Sequence, residues 1–175
     1  MSVTLSLSSG TSTPGGIITL TLSIASTGGD LPTQVQWVFS HTADVSIASV
    51  TAGAAAVAAN KMLARAGNLM LIWGVNQDAI GDGVLVTVAF RISSFPSGTS
   101  TVINIASIVV SDADANQLTG VGSPGTITIV PTPPTPGLPC TGIIPIPSTD
   151  VQFRLEKVMV TIRPDAHLPT RGSVI

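Results

Sequence analysis

Three stretches of this chain carry residue types at spacings that do chemistry elsewhere. Gly120-Val121-Gly122-Ser123-Pro124-Gly125 spells the G-x-G-x-x-G of a dinucleotide fingerprint. That motif works only where a helix follows, because the helix N-terminus receives the phosphates. Here Thr126-Ile127-Thr128-Ile129-Val130 follows, an alternating β pattern, so the glycines are expected to form a turn. Asp112, Asp114 and Asn116 reproduce the opening of a calcium loop, whose carboxylates and amide would supply hard oxygen ligands. The glycine such a loop needs is replaced by Gln117, and Ser123 stands where its bidentate Glu belongs. These three are weak calcium candidates, and an acidic hairpin tip is the expected reading, since Asp and Asn are ordinary turn formers. Leu138-Pro139-Cys140-Thr141-Gly142 has the form of a sortase signal. Residues 143–175 contain no membrane-spanning stretch to hold such a substrate, so it reads as linker.

Nucleophilic or acid–base catalysis has little to draw on. His41 and His167 are the two histidines, and Cys140 is the lone cysteine, lying in a proline-rich stretch that fixes no base beside it. Ser40, His41 and Asp44 suggest a triad fragment, yet residues so close on a strand end diverge in direction. No His, Cys, Asp and Glu spacing suits zinc. The expectation is no enzyme and no cofactor. Trp37 and Trp73 are expected in the core with Phe39 and Phe90 rather than on a sugar-stacking platform, because each stands among apolar neighbours at strand period.

The elements that would position these residues read as strands. Of 175 residues only 9% are charged, mean hydropathy is +0.54, and there is no Tyr. The apolar residues are mostly Val, Ile, Leu and Ala interleaved with Thr and Ser, a composition suited to pleated sheets. Period-2 alternation and turn residues predict strands over 3–8, 17–24, 35–40, 45–50, 62–66, 69–75, 84–92, 101–111 and 126–130, with a helical turn over 54–59. About nine short strands without a helical crossover indicate an all-β antiparallel sandwich of jelly-roll type. The lone cysteine excludes an internal disulfide framework. The start of the chain lacks the basic patch and apolar run of a secretory signal.

Composition changes at Pro131. Seven of the 13 prolines fall at positions 131–147, so 131–149 is expected to be a semi-rigid linker. Residues 150–175 form a C-terminal arm with one amphipathic strand: Val151, Phe153 and Leu155 alternate with Gln152, Arg154 and Glu156, and Val158, Val160 and Ile162 follow. A single strand cannot bury a core alone. These six apolar residues are the expected partner-binding set, through addition to a sheet edge. Residues 1–130 hold three basic and six acidic side chains and the remainder four and three, which gives no nucleic-acid footprint.

The order of elements over about residues 2–130 resembles the cohesin family of bacterial β-sandwich modules. The resemblance rests on Pro14-Gly15 before the second strand, Val35-Gln36-Trp37-Val38-Phe39 as the third, and Val50-Thr51-Ala52-Gly53 closing the fourth. It rests most on Ile80-Gly81-Asp82-Gly83 leading through Phe90-Arg91-Ile92 to Pro96-Ser97-Gly98. It implies a usually secreted module that holds dockerin-bearing enzymes on a scaffold. Dockerin-gripping members carry a Tyr-Asp pair at the end of the third strand, where this chain has Phe39-Ser40-His41. Combined with the apparent lack of a leader, the low charge and the docking arm, the sequence suggests a non-catalytic bacteriophage virion protein. It would decorate head or tail, anchor through its arm to capsid or tail subunits, and assemble as a homo-oligomer or part of a larger assembly, touching neither nucleic acid nor membrane. The alternative is a secreted scaffold or cell-surface module binding a dockerin-type partner or a carbohydrate.

Overall fold

The computed structural model describes residues 2–29 and 31–131. Most of the linker, the arm with Val151, Phe153, Leu155, Val158, Val160 and Ile162, and also Cys140 and His167 lie outside the described residues. The described chain is an all-β sandwich of eleven strands and one short helix. In order these are β1 (Ser2–Leu7), β2 (Gly10–Ser12), β3 (Ile17–Thr27), β4 (Gln34–Ser40), β5 (Val45–Ala52), α1 (Ala54–Ala58), β6 (Met62–Ala66), β7 (Leu69–Trp73), β8 (Gly83–Ile92), β9 (Ser100–Ser111), β10 (Gln117–Ser123) and β11 (Gly125–Ile129).

Neighbouring strands follow the order β5-β8-β3-β1-β10-β9-β4-β7-β6, with β11 pairing β2 and β9. The layers β5-β8-β3-β1 and β10-β9-β4-β7-β6 enclose the core. Alternation decides what enters it: Leu20, Leu22 and Ile24 of β3 are buried while Thr19, Thr21 and Ser23 between them are not. Trp37 meets Phe39 edge to face along β4, and Phe39 meets Phe90 of β8 edge to face across the layers, with ring centroids 6.0 and 5.8 Å apart, a favoured aromatic geometry.

Three expectations are corrected. Trp73 does not join that aromatic core but is 36% exposed. Strand β7 turns Met70 and Ile72 inward, and parity sends Leu69, Leu71 and Trp73 out. Gly120 and Gly122 lie within a strand, β10, rather than in a turn. A Cβ on Gly120 would stand 2.3 Å from the Ile108 side chain, and one on Gly122 would stand 2.6 Å from the Ile105 carbonyl. The glycines thus let β10 run close over β9. Finally, β1 pairs β10 in parallel and β2 pairs β11 in parallel, so the sandwich is not wholly antiparallel. No helical crossover is needed, because nearly the whole domain serves as the connection between the paired strands.

Candidate functional site

The outer face of the β9-β4-β7-β6 sheet is built from in-register rows. Ala66 lies opposite Leu69, Leu69 opposite Val38, and Val38 opposite Ala106. In the adjacent row Ala64, Leu71, Gln36 and Val109 succeed one another, and Met62 pairs Trp73 at the end. A bulge in β9 at Ser107, with φ of +50°, keeps both rows aligned. Met62 is 47% and Val109 46% exposed. No charged residue stands in these rows. A shallow hollow of about 190 Å³ opens among Ala64, Ala66, Leu69 and Leu71, beside the Arg65 stem.

At sheet spacing the face measures roughly 15–20 Å each way, an apolar patch of a size that on a monomer is often functional. The opposite sheet offers a contrast: Thr19, Thr21, Thr87, Ser49 and Thr51 give its outer side a hydroxylated surface. The apolar face fits the fully buried centre of a protein interface, where charges are depleted and aromatics and Met enriched. Its hollow would take one apolar side chain of a partner.

The other sequence-marked residues take places of their own. Asp112 closes the β9–β10 hairpin: its carboxylate accepts from the main-chain N–H of Asp114 at 2.9 Å, from that of Asn116 at 2.8 Å, and from Asn116 Nδ2 at 3.0 Å. The Asn116 side-chain amide, chief among these donors, holds the Asp112 carboxyl below its ordinary range. Ala115, at φ +62°, completes the turn. Asp112, Asp114 and Asn116 are therefore brought together, with the carboxylate of Asp112 already engaged by N–H donors. Among the described residues no group of three His, Cys, Asp or Glu side chains could hold a metal ion. His41 Nδ1 lies 2.9 Å from the Thr42 carbonyl, while Asp44 accepts from Ser97 Oγ. Ser40, His41 and Asp44 thus have no hydrogen bonds linking them in a relay.

One buried polar cluster escaped the sequence reading. Lys61 is 6% exposed, and its Nζ donates to the carbonyl and Oδ1 of Asn76 at 3.0 and 2.6 Å. Asn76 Nδ2 donates in turn to the Ala59 carbonyl and to Asp78. Burial lowers the Lys61 pKa, against an opposing pull from Asp78. The cluster ties the end of α1 to the β7–β8 loop, a positioning role. A lysine after an alanine run gives no sign of this, because the partner is fifteen residues away.

No family model and no curated protein sequence matches this chain. Solved structures do. A non-cellulosomal cohesin from the hyperthermophilic archaeon Archaeoglobus fulgidus aligns at TM-score 0.60 and 22% identity, covering 74% of this chain and 92% of that one. The sixth cohesin of scaffoldin B from Acetivibrio cellulolyticus, solved with a Cel5 dockerin, aligns at 0.61 and 15% identity over 74% of this chain and all of that one. A type I cohesin–dockerin complex from Clostridium thermocellum gives 0.61 and 15%, with the same coverage. At these identities the likeness is one of fold: the described residues form a cohesin-like sandwich.

Proposed function

We propose that this chain is a non-catalytic protein-binding module that presents the outer face of the β9-β4-β7-β6 sheet to another protein. The observation that carries this is the pair of in-register rows, free of charge and apolar except at Gln36, with Trp73 and Met62 at one end and a side-chain-sized hollow between β6 and β7. Burying such a face is favourable at about 25 cal/mol per Å² of apolar area, and that gain must exceed the cost of association.

Two of the solved neighbours are cohesins in complex with dockerins, and this supports a dockerin-type domain as the partner class. Phe39-Ser40-His41 close β4 where the resemblance to dockerin-gripping cohesins would place a Tyr-Asp pair, so a partner would have to be recognised chiefly by apolar contact here. A scaffold or cell-surface setting accords with this reading. The neighbours offer no counterpart for a bacteriophage virion component, and they support the scaffold or cell-surface alternative better.

The test is titration of the full chain with isolated dockerin modules, alongside capture from a secretome. Saturable binding should weaken at least tenfold in Leu71→Asp and Trp73→Asp, roughly the 1.4 kcal/mol equivalent of one decade, with unchanged far-ultraviolet circular dichroism. Binding untouched by both substitutions would exclude this face.

A further inference from the structure

Lys61 precedes β6 and Asn76 follows β7, and because Met62 pairs Trp73 the two stand at the open end of the β6–β7 hairpin. Their side chains converge over Gly74. A Cβ there would stand 3.0 Å from Lys61 Cδ and 3.1 Å from Asn76 Oδ1, so the missing side chain leaves room for the lysine stem to cross the main chain and reach the amide. Lys61 Nζ ends 2.6 Å from Oδ1. Cγ lies one C=O bond of about 1.23 Å beyond that oxygen, which puts Nζ within about 3.8 Å of the carbon. That is little more than the roughly 3–3.5 Å of a near-attack geometry. The same amide is gripped from its nitrogen: Nδ2 donates to Asp78 Oδ2 at 2.9 Å and to the Ala59 carbonyl at 3.1 Å. An amine, a carboxamide and a carboxylate are thus in contact in series, and the lysine is only 6% exposed.

The geometry points to an intramolecular isopeptide bond, formed between Lys61 Nζ and Asn76 Cγ with Asp78 as the proton carrier. The lone pair of the neutral amine adds to Cγ, and the C=O π electrons move to Oδ1. In the adduct both nitrogens sit on one carbon, so the Asp78 carboxylate beside Nδ2 takes a proton from Nζ and returns it to Nδ2. The carbonyl re-forms as the Cγ–Nδ2 bond breaks, and ammonia leaves. One C–N bond replaces another, nothing is oxidised or reduced, and no further reactant is needed. Burial lowers the Lys61 pKa, which favours the neutral form that acts as nucleophile. The rate follows the neutral fraction, so the bond forms slowly near neutrality and faster as pH climbs. The groups are consumed in a single event, and the module gains a link rather than an activity. The product closes the loop over residues 61–76, restricting the unfolded chain as any cross-link does, and locks the hairpin end that carries Met62 and Trp73.

Mass spectrometry of the full chain tests this without reference to a partner at the outer face. After several days at about pH 9, below the ordinary lysine value, the wild type is expected to be lighter by one ammonia. Trypsin cuts after Lys and Arg, and Lys61, Arg65 and Arg91 are the first three such residues. A linked chain therefore yields residues 1–65 and 66–91 as one branched species, uncut at position 61. Lys61→Met should abolish the loss. Asp78→Ala, at an exposed position, should slow it at least tenfold, a modest share of what a positioned acid–base group contributes. Circular dichroism checks that both variants fold, and the branched peptide decides the matter in the wild type alone. A wild type that keeps its full mass would overturn the proposal. So would an ammonia loss that persists in Lys61→Met, which marks a succinimide closed by the Gln77 main-chain nitrogen, or conversion of Asn76 to an acid, which marks water as the nucleophile. An unaltered rate in Asp78→Ala would overturn the proton relay.

Discussion

Asp112 and Lys61 show opposite uses of a charge in a chain that has few. Asp112 gains three N–H donors on folding, so its carboxyl ionises at lower pH folded than unfolded. Its contribution is complete above the ordinary value of 3.8 and drains away as pH falls below it. Asp112→Ala should therefore lower the melting temperature at pH 7, and the gap to wild type should narrow as melts are repeated toward pH 2.5. Lys61 has its pKa lowered by burial, so its charged form is disfavoured by folding. That penalty is present at neutral pH and is relieved as pH climbs through the lowered value toward the ordinary 10.5. Denaturant titrations from pH 7 to 10 should show a stability component that rises with pH in wild type and is absent in Lys61→Met. With no Tyr in the chain, the alkaline range is free of phenol ionisation.

At the scale of elements, glycine contacts set what can be changed. A Cβ on Gly53 would stand 2.3 Å from the Val84 carbonyl oxygen, a main-chain atom that cannot swing aside. Gly53→Ala should cost about 1–3 kcal/mol, in the range of core overpacking, read as a shift in urea midpoint at constant slope. The strands readable in the sequence were those whose alternation coincides with their burial: β3, with Thr19, Thr21 and Ser23 between buried aliphatics, and β8. Strands β2, Gly-Thr-Ser, and β10, which carries Gly120 and Gly122, lack strand propensity. Their conformation is imposed by ladders to β11, β1 and β9, and no local pattern announces a partner more than a hundred residues away. The candidate face was hidden for a related reason. Leu69-Met70-Leu71-Ile72-Trp73 is apolar on both sides, so periodicity does not say which side meets water. A short strand apolar on both faces was the available signal that apolar side chains would also line its outer side.

At the scale of the whole molecule, one aromatic chain, Trp37 to Phe39 to Phe90, joins the layers. Trp37→Ala should cost about 3–5 kcal/mol, and in a sandwich with one core its unfolding should remain a single cooperative transition by both circular dichroism and tryptophan fluorescence. The parallel alignment of β1 with β10 and of β2 with β11 bears on how the module would carry load. Tension entering near Ser2 and leaving at Pro131 pulls these strands past one another along their length, so their cross-strand bonds bear the load together instead of parting one by one. A module wired this way should resist being pulled apart from its two ends.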